Sequence, residues 1–320
     1  MFFEGSEKKA EVIINDRQLS LLDDVNDEFW ARLVSASNAR ILSCIKNESC
    51  KAYLLSESSL FVWHDRFLIL TCGVTQLVNS IEFFIHELGI NKIEQVTYQR
   101  KNEYFSHAQP SCFGDDAKRL AKYVSGKAYR FGPMDSHHNY LFHQDNHFRA
   151  DINAKSYQLL AYQISRQASA LLTTKNLAVE RIRDFFCLDE ILAGFTIDDF
   201  VFQPFGYSLN AIFEDQYLTI HVTPQADSSY VSFEANFDLI TLATKILAIL
   251  QPASFDLLSF NELSFAEKVV DSVPQDYISK SLVSEKLSNG YQVHFANFIR
   301  EQVAYTRPIF LDIAEENHTL

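Results

Sequence analysis

The chain has 320 residues and carries 28 Lys and Arg against 41 Asp and Glu, a formal net charge of −13. This acidic balance argues against binding to nucleic acid or to an anionic membrane surface, because both partners require a basic face. Hydrophobic residues make up 47% of the chain, and 27 Phe and 14 Tyr stand against only 9 Gly and 7 Pro. This composition excludes a disordered chain and indicates a globular protein that can bury a core.

The N-terminus, the apolar segments and the cysteines predict a cytoplasmic protein. The N-terminal MFFEGSEKKAEV has no apolar h-region, so it does not look like a signal peptide. The most apolar segment, Leu239 to Leu250, is too short to span a bilayer and contains Lys245. Five cysteines without a CxxC motif indicate reduced thiols; they are Cys44, Cys50, Cys72, Cys112 and Cys187.

Short β-rich runs and helical patterns follow one another along the chain. Alternation and aromatic content predict strands at Arg40–Cys44, Phe67–Thr71, Gln95–Gln99, Ala128–Phe131, Tyr140–His143, Tyr217–Val222, Tyr230–Phe233 and Tyr291–Phe298. Apolar stripes predict helices over Gln76–Leu88, Ser156–Leu172 and Phe237–Leu250. Because the strands come in runs, the pattern favours an α+β fold with antiparallel sheets over a doubly wound fold. No linker divides the chain, so we predict one domain over residues 1–320, with 301–320 as a candidate tail.

Residues Tyr53 to Val62 read YLLSESSLFV, an apolar strand, a Ser-Glu-Ser-Ser turn and a second apolar strand. One interpretation is a hairpin whose serines bond their own backbone, as is common in serine-rich turns. The alternative is a reactive turn, in which a serine hydroxyl attacks the carbonyl carbon before it. The resulting ester would eliminate to dehydroalanine, and hydrolysis would leave a pyruvoyl group on a new N-terminus. The turn alone leaves both interpretations open.

Several blocks in the same order resemble eukaryotic-type S-adenosylmethionine decarboxylase, a self-cleaving pyruvoyl enzyme. LSESS is followed by Thr71-Cys72-Gly73. The other blocks are FFEGSEK at Phe2–Lys8, QRKN at Gln99–Asn102, FQPFGYSLN at Phe202–Asn210, and TIHVTP with SYVSFEAN within Thr219–Asn236. The resemblance therefore extends along nearly the whole chain and implies a four-layer αββα sandwich, two antiparallel sheets face to face with helices outside.

The resemblance implies that the chain cleaves itself between Glu57 and Ser58. Residues 1–57 would become the small chain and residues 58–320 the large chain, with Ser58 converted to the pyruvoyl cofactor. Ser208 and His221 match the residues that assist processing, and a serine beside a histidine is a common way to move a proton through an ester intermediate. Taken alone, Ser208 is typical of a turn after Gly206, and His221 is typical of a strand histidine that faces a polar neighbour.

In the family, the pyruvoyl carbonyl forms a Schiff base with the substrate amine and accepts the electrons released with carbon dioxide, as pyridoxal phosphate does. Cys72 matches the proton donor to the resulting carbanion, a task suited to a thiol. Glu4 and Glu7 match acids at or near the reacting centre, where a sulfonium and a protonated amine favour carboxylates. The plainer alternatives are an inert buried cysteine and a solvated strand edge, and we keep the inert interpretation for the other four cysteines.

The resemblance also implies how the substrate is held. Phe3 and Phe202 match two phenylalanines that sandwich the adenine ring, and backbone near Leu55 and Glu57 would supply hydrogen bonds to the base. Gln225 stands where the family has a glutamate that grips the ribose hydroxyls. A neutral amide is a weaker partner than a carboxylate, so the departure predicts weaker substrate binding and leaves room for a different substrate.

A second departure concerns regulation. Animal members bind putrescine as an activator at a buried acidic cluster, and Glu11 and Glu234 match two of its acids. Where the family has further acids, this chain reads NAKSYQ, with Lys155 in the middle. A lysine in or beside the cluster would neutralise the acids without a diamine, so we predict no activation by putrescine.

The run HHNYLFHQDNH contains four histidines, His137, His138, His143 and His147. Their spacing fits no common metal motif, and alternation along a strand would send neighbours to opposite faces. We therefore predict no metal site.

The resulting hypothesis is a decarboxylase of S-adenosylmethionine that supplies the aminopropyl donor for spermidine and spermine synthesis. Gln225 motivates one alternative, a pyruvoyl-dependent decarboxylase of ornithine or arginine, but the retained adenine-sandwich phenylalanines argue against it. The other alternative is an inactive paralogue that regulates an active partner, and the retained processing residues argue against it. The expected partners are the small and large chains of one precursor, as a single processed pair or a dimer of pairs.

Overall fold

The structure is a computed structural model that describes residues 4–15, 17, 19–225 and 229–301. Two antiparallel sheets of eight strands each lie face to face. The first sheet contains β1 (Lys8–Ile14), β2 (Ile41–Lys46), β3 (Lys51–Leu55), β4 (Ser58–Val62), β5 (Arg66–Thr71), β6 (Ile93–Lys101), β7 (Gly126–Phe131) and β8 (Asn139–Gln144). The second contains β9 (Ser156–Tyr162), β10 (Thr196–Val201), β11 (Tyr207–Phe213), β12 (Gln216–Thr223), β13 (Tyr230–Ala235), β14 (Ser254–Phe260), β15 (Tyr277–Lys286) and β16 (Gln292–Arg300).

Helices cover the outer face of each sheet, which confirms the α+β sandwich with four layers. They are α1 (Asp27–Ala36), α2 (Val78–Leu88), α3 (Phe113–Leu120), α4 (Arg166–Leu172), α5 (Val179–Phe186), α6 (Leu188–Ile191), α7 (Leu239–Leu250) and α8 (Phe265–Ser272). One apolar core lies between the first sheet and its helices, and a second lies between the other sheet and its helices. Smaller clusters join the sheets, as where Phe61 and Trp63 meet Tyr217. Within the described residues, no helix is long and apolar enough to cross a membrane.

The two sheets share one strand order. The first reads β2-β3-β4-β5-β1-β6-β8-β7 and the second β10-β11-β12-β13-β9-β14-β16-β15, which is the same order when β9 is counted as the first strand. The chain therefore consists of two copies of one topology packed face to face. Each copy has a hairpin with a two-residue turn at the same place, β3–β4 in the first and β11–β12 in the second.

One predicted helix is wrong. Ser156–Leu172 contains strand β9 and only then the short helix α4. Strand β9 lies in the middle of its sheet, between β13 and β14, and its residues Leu159, Leu160 and Ala161 are all buried. A strand buried on both faces loses the polar alternation that distinguishes it from a buried helix. The helices predicted over Gln76–Leu88 and Phe237–Leu250 are confirmed as α2 and α7, each beginning two residues later.

Candidate active site

The β3–β4 hairpin places Ser58 directly after a two-residue turn. Residues 56 and 57 form the turn, and Ser58 pairs with Leu55 across it. Further along β4, Leu60 packs on the helix side and Phe61 packs between the sheets. Ser58 has a φ of 135°, a region that L-residues rarely adopt and that costs about 1–3 kcal/mol. This backbone breaks the alternation of the strand, so the hydroxyls of two consecutive serines both face the second sheet.

His221 lies in the second sheet and contacts the Ser58 hydroxyl of the first sheet. Its Nε2 lies 2.8 Å from Ser58 Oγ, and its Nδ1 lies 2.9 Å from Ser208 Oγ. The register of β11 and β12 pairs Ser208 with His221, which fixes the second contact. Burial lowers the pKa of His221 to about 3, so the imidazole is neutral at neutral pH and has a lone pair that can accept a proton. The structure thus brings Ser58, Ser208 and His221 into one hydrogen-bonded group.

The carbonyl before Ser58 is held by the end of strand β5. The backbone N–H of Cys72 donates to the carbonyl oxygen of Glu57 at 3.0 Å, and Cys72 Sγ lies 3.5 Å from the same oxygen. The ammonium of Lys8, itself buried, donates to the carbonyl of Gly73 at 2.9 Å. Donors aimed at a carbonyl oxygen in a buried site are the arrangement that stabilises an oxyanion. Burial also raises the pKa of the Cys72 thiol well above its usual range, so the thiol keeps its proton.

Both N-terminal glutamates are buried, so the alternative of a solvated strand edge is wrong. The Glu4 carboxyl accepts the backbone N–H groups of Ser6, Tyr104 and Phe105 at 3.3, 2.9 and 3.0 Å. Glu7 Oε1 accepts the Ser232 hydroxyl at 2.6 Å.

The protonation state of Glu7 differs from that of an ordinary glutamate. Burial, together with the nearby Glu234 charge, raises the pKa of Glu7 to about 8. At neutral pH the carboxyl is therefore mostly protonated, and it can both donate and accept a hydrogen bond.

The residues predicted to hold the substrate are only partly described. Phe3 lies outside the described residues. Phe202 follows β10, where its ring lies 4.9 Å from the Phe200 ring and its N–H donates to the carbonyl of Gly206 at 2.9 Å. Leu55 ends β3 as a buried residue, and Gln225 follows the end of β12. Their roles in substrate binding stay predictions.

Glu234 of the acidic cluster has three partners between the sheets. It accepts hydrogen bonds from the Tyr217 hydroxyl and from Gln158 Nε2, both at 2.9 Å, and it lies 2.5 Å from the Lys9 ammonium. Glu11 lies 3.8 Å from Arg66 Nε, and burial raises the pKa of its carboxyl.

The lysine that pairs with this cluster is therefore not the one predicted. Lys155 contacts Glu262 at 3.2 Å, while Lys9 and Arg66 contact the cluster acids. Strand β1 places Lys9 in the first sheet, so its pairing with an acid of the second sheet depends on face-to-face packing. A cavity of about 570 Å³ lies beside this group and is also lined by Lys155.

The remaining histidines and cysteines have local contacts. His137 Nδ1 lies 3.3 Å from Asp256 Oδ1, and His143 Nδ1 lies 2.9 Å from the carbonyl of Gln144. Among residues 4–15, 17, 19–225 and 229–301, no three His, Cys, Asp or Glu side chains are grouped to hold a metal, and the absence of a metal stays a prediction. Burial raises the pKa of Cys50 to about 12, consistent with an inert thiol.

Sequence reasoning missed two neighbours of His221 and a third residue that bonds to one of them. Thr219 Oγ1 lies 2.9 Å from Nε2, Ser59 Oγ lies 3.3 Å from it, and the Ser59 hydroxyl donates to Asn210 Oδ1 at 2.6 Å. The signal was present, because Asn210 and Thr219 lie within the matching blocks and two residues from Ser208 and His221. Only the pairing of β11 with β12 shows that all four lie on one face.

Comparison with known proteins identifies the family. The family model for adenosylmethionine decarboxylase matches residues 1–299. The S-adenosylmethionine decarboxylase proenzyme of Leishmania donovani is 32% identical over 278 residues, which span 81% of this chain and 73% of that protein. The Xenopus laevis proenzyme is 28% identical over 325 residues, 94% of this chain and 96% of that protein. The solved Trypanosoma brucei AdoMetDC-delta26 monomer shares the fold, with a TM-score of 0.58 and 22% identity over 76% of this chain and 99% of that chain. The chain therefore belongs to the adenosylmethionine decarboxylase family, as the resemblance of its sequence implied.

Proposed function

We propose that the chain is a self-processing proenzyme whose mature form decarboxylates S-adenosylmethionine, giving the aminopropyl donor for spermidine and spermine synthesis. One observation carries the proposal: the hydroxyl of a strained serine, Ser58, lies 2.8 Å from a buried neutral imidazole. A backbone N–H already holds the carbonyl that this hydroxyl would attack. The names of the relatives support the same substrate.

The proposed processing begins with an N→O acyl shift. Ser58 Oγ gives its proton to His221 Nε2 and bonds to the carbonyl carbon of Glu57, while the Cys72 N–H holds the developing oxyanion. The Glu57–Ser58 C–N bond breaks, and the amine nitrogen takes a proton. Loss of the Cα proton and cleavage of the Cβ–Oγ bond then release the Glu57 carboxylate. The remaining enamine tautomerises to an imine, and water converts it to the pyruvoyl group with loss of ammonia.

The residues around Ser58 suit that prosthetic group. A pyruvoyl group supplies an electron sink for an amino acid that loses its carboxylate. The Cys72 thiol keeps its proton and lies 3.5 Å from the carbonyl oxygen of Glu57, next to the residue that would become the prosthetic group. This is a suitable position for a proton donor to the substrate. The protonated Glu7 carboxyl, held by Ser232, would orient the substrate.

The other site residues bind the substrate in this proposal. Phe3 and Phe202 stack on the adenine, backbone at Leu55 and Glu57 bonds its edge, and Gln225 accepts from the ribose hydroxyls. Glu4, whose carboxyl accepts three backbone N–H groups, would fix the N-terminal segment that contains Phe3 and Glu7. A single domain, processed into residues 1–57 and 58–320 in the cytoplasm, completes the proposal.

The experiment is an intact-mass measurement after incubation with S-adenosylmethionine and cyanoborohydride. A chain of residues 58–320 that carries the reduced substrate adduct would support both the prosthetic group and the substrate. A cleaved chain without an adduct would keep the processing chemistry and exclude this substrate; incubation with ornithine and arginine would then identify the amine. An uncleaved chain of 320 residues would overturn the proposal.

A further inference from the structure

Three hydroxyls compete for one nitrogen in the processing site. Ser58, Thr219 and Ser59 lie 2.8, 2.9 and 3.3 Å from His221 Nε2. In the tautomer whose Nδ1–H donates to Ser208 Oγ, the neutral imidazole has a single lone pair on Nε2, so Nε2 accepts from only one of the three hydroxyls at a time. Ser58 gives up its proton in the proposed reaction only when that lone pair is free for it.

We infer that Asn210 is a positioning residue for self-cleavage, because its carbonyl draws the protons of the competing hydroxyls away from His221. The inference rests on the proposed function and assigns a positioning role to Asn210 and Ser59, neither of which touches the bond that is cut, whereas Thr219 is a competitor whose proton they draw away from His221. These three side chains would act as one directed chain of hydrogen bonds.

The direction of the chain follows from the amide oxygen of Asn210, which can only accept a hydrogen bond. The Ser59 hydroxyl donates to Asn210 Oδ1 at 2.6 Å, so its proton is committed and its oxygen presents only lone pairs to its other neighbours. Thr219 Oγ1 lies 3.1 Å from Ser59 Oγ and therefore has an acceptor other than Nε2. With Thr219 donating to Ser59 and Ser59 donating to Asn210, the lone pair of Nε2 remains for Ser58.

Burial makes this arrangement consequential. Asn210, Ser59 and Thr219 are each at most 1% exposed, so no bulk water offers an alternative acceptor if one member is removed. The pairing of Asn210 with Thr219 across β11 and β12 keeps the two side chains together on the face that meets Ser59. Removing the Ser59 hydroxyl would leave Thr219 with Nε2 as its remaining acceptor in this group.

The test is a set of four variants of the full chain, with the self-cleavage rate of purified precursor as the readout. S59A should cleave about 5- to 10-fold more slowly, the effect of one lost or redirected hydrogen bond. N210L should be slowed to a similar extent, because the Ser59 proton would then turn to Thr219 or His221. T219V, which is isosteric, should cleave at nearly the wild-type rate, because it removes only a competitor.

The double variant S59A/T219V distinguishes a positioning role of Ser59 from a purely structural one. We expect it to return to within about twofold of the wild-type rate, because Ser58 is then the only hydroxyl beside Nε2. A purely structural role for Ser59 predicts the opposite, a double variant at least as slow as S59A. That result would overturn the inference. The buried Ser80, whose hydroxyl donates to the Leu33 carbonyl in another part of the core, offers S80A as a matched control that should not slow cleavage.

The proposed function and this inference fail in different ways. A wild-type precursor that never cleaves would remove the proposed function, and the inference with it. A wild-type precursor that cleaves, with no rescue in S59A/T219V, would overturn the inference alone. Melting temperatures of all variants show whether a slow variant is folded.

Discussion

The two hairpins at equivalent places in the two sheets share a backbone plan and differ in chemistry. In the β3–β4 hairpin the turn is Ser56-Glu57 and Ser58 follows; in the β11–β12 hairpin the turn is Glu214-Asp215 and Gln216 follows. The positive φ lies on Ser58 in the first hairpin but within the turn, on Glu214, in the second. A serine hydroxyl and the strained backbone thus coincide in the first hairpin and not in the second.

The two hairpins also differ at the position five residues after the first residue of the second strand. Trp63 follows Ser58 at the same spacing as His221 follows Gln216. The Trp63 indole N–H donates to the Asp215 carbonyl at 3.1 Å, and an indole has no lone pair with which to take a proton. The comparison teaches that the topology supplies two matching turns, and that of the two the first places a hydroxyl opposite a neutral imidazole.

Removing the nucleophile should make the first hairpin as inert as the second. S58A should leave an intact 320-residue chain under conditions in which the wild type cleaves fully, because no oxygen remains to attack Glu57. Gel electrophoresis and intact mass measure this. S56A, in the same turn, is the matched control and should still cleave; cleavage of S58A at any rate near that of S56A would contradict the proposed site.

Substitution of Cys72 separates the role of its backbone N–H in self-cleavage from the role of its thiol in decarboxylation. C72A keeps the N–H that bonds the Glu57 carbonyl, so cleavage should continue within a few-fold of the wild-type rate. Decarboxylase turnover should fall by about 10² or more, the usual contribution of a positioned proton donor. C187S, at a free cysteine outside the site, should keep full turnover. Equal activity of C72A and C187S would remove Cys72 from the mechanism.

The pH dependence of stability should report the buried carboxyl of Glu7 near the first hairpin. Its pKa is raised from 4.5 to about 8 in the folded chain, so between these values the folded state binds more protons than the unfolded state. Stability should therefore fall as pH rises from about 4.5 to 8, by at most ~5 kcal/mol from this group. Urea unfolding of S58A with and without E7Q measures it, and E7Q should flatten the slope. An unchanged slope in E7Q would show that other groups cause it.

The smallest effect is expected from putrescine, added as a ligand for the cavity beside the second hairpin. The ammonium of Lys9 already pairs with Glu234, and Arg66 lies near Glu11, so a diamine would find its carboxylates occupied. Putrescine should change the turnover of the processed enzyme by less than about twofold. Stimulation of several-fold would show that the diamine displaces Lys9 or binds elsewhere. Potassium chloride at equal ionic strength is the control for screening.

The sequence predicted the antiparallel α+β class, the hairpin within Tyr53–Val62 and the group of Ser58, Ser208 and His221, while the reactivity of that hairpin stays a prediction. These depend on local patterns or on blocks that resemble the family. What was missed depends on packing between distant segments: β9 lacks alternation because it is buried on both faces, and the partner of Glu234 is Lys9 because the two sheets meet face to face. The sequence analysis also did not detect the repeated topology, since apolar positions can be filled by many residue types.

Strand β1 pairs with β5 on one side and β6 on the other, in the middle of the first sheet. Cleavage after Glu57 would place β1, β2 and β3 in one polypeptide and their partners β4, β5 and β6 in another. The mature enzyme would then be a heterodimer in which strand β1 of the small subunit lies between strands β5 and β6 of the large subunit. Its unfolding would separate two molecules, and recovery would depend on their concentration and on remaking a central strand from outside. The precursor would pair this strand while it is still tethered to the rest of the sheet, whereas the cleaved pair would have to recover it from a separate polypeptide.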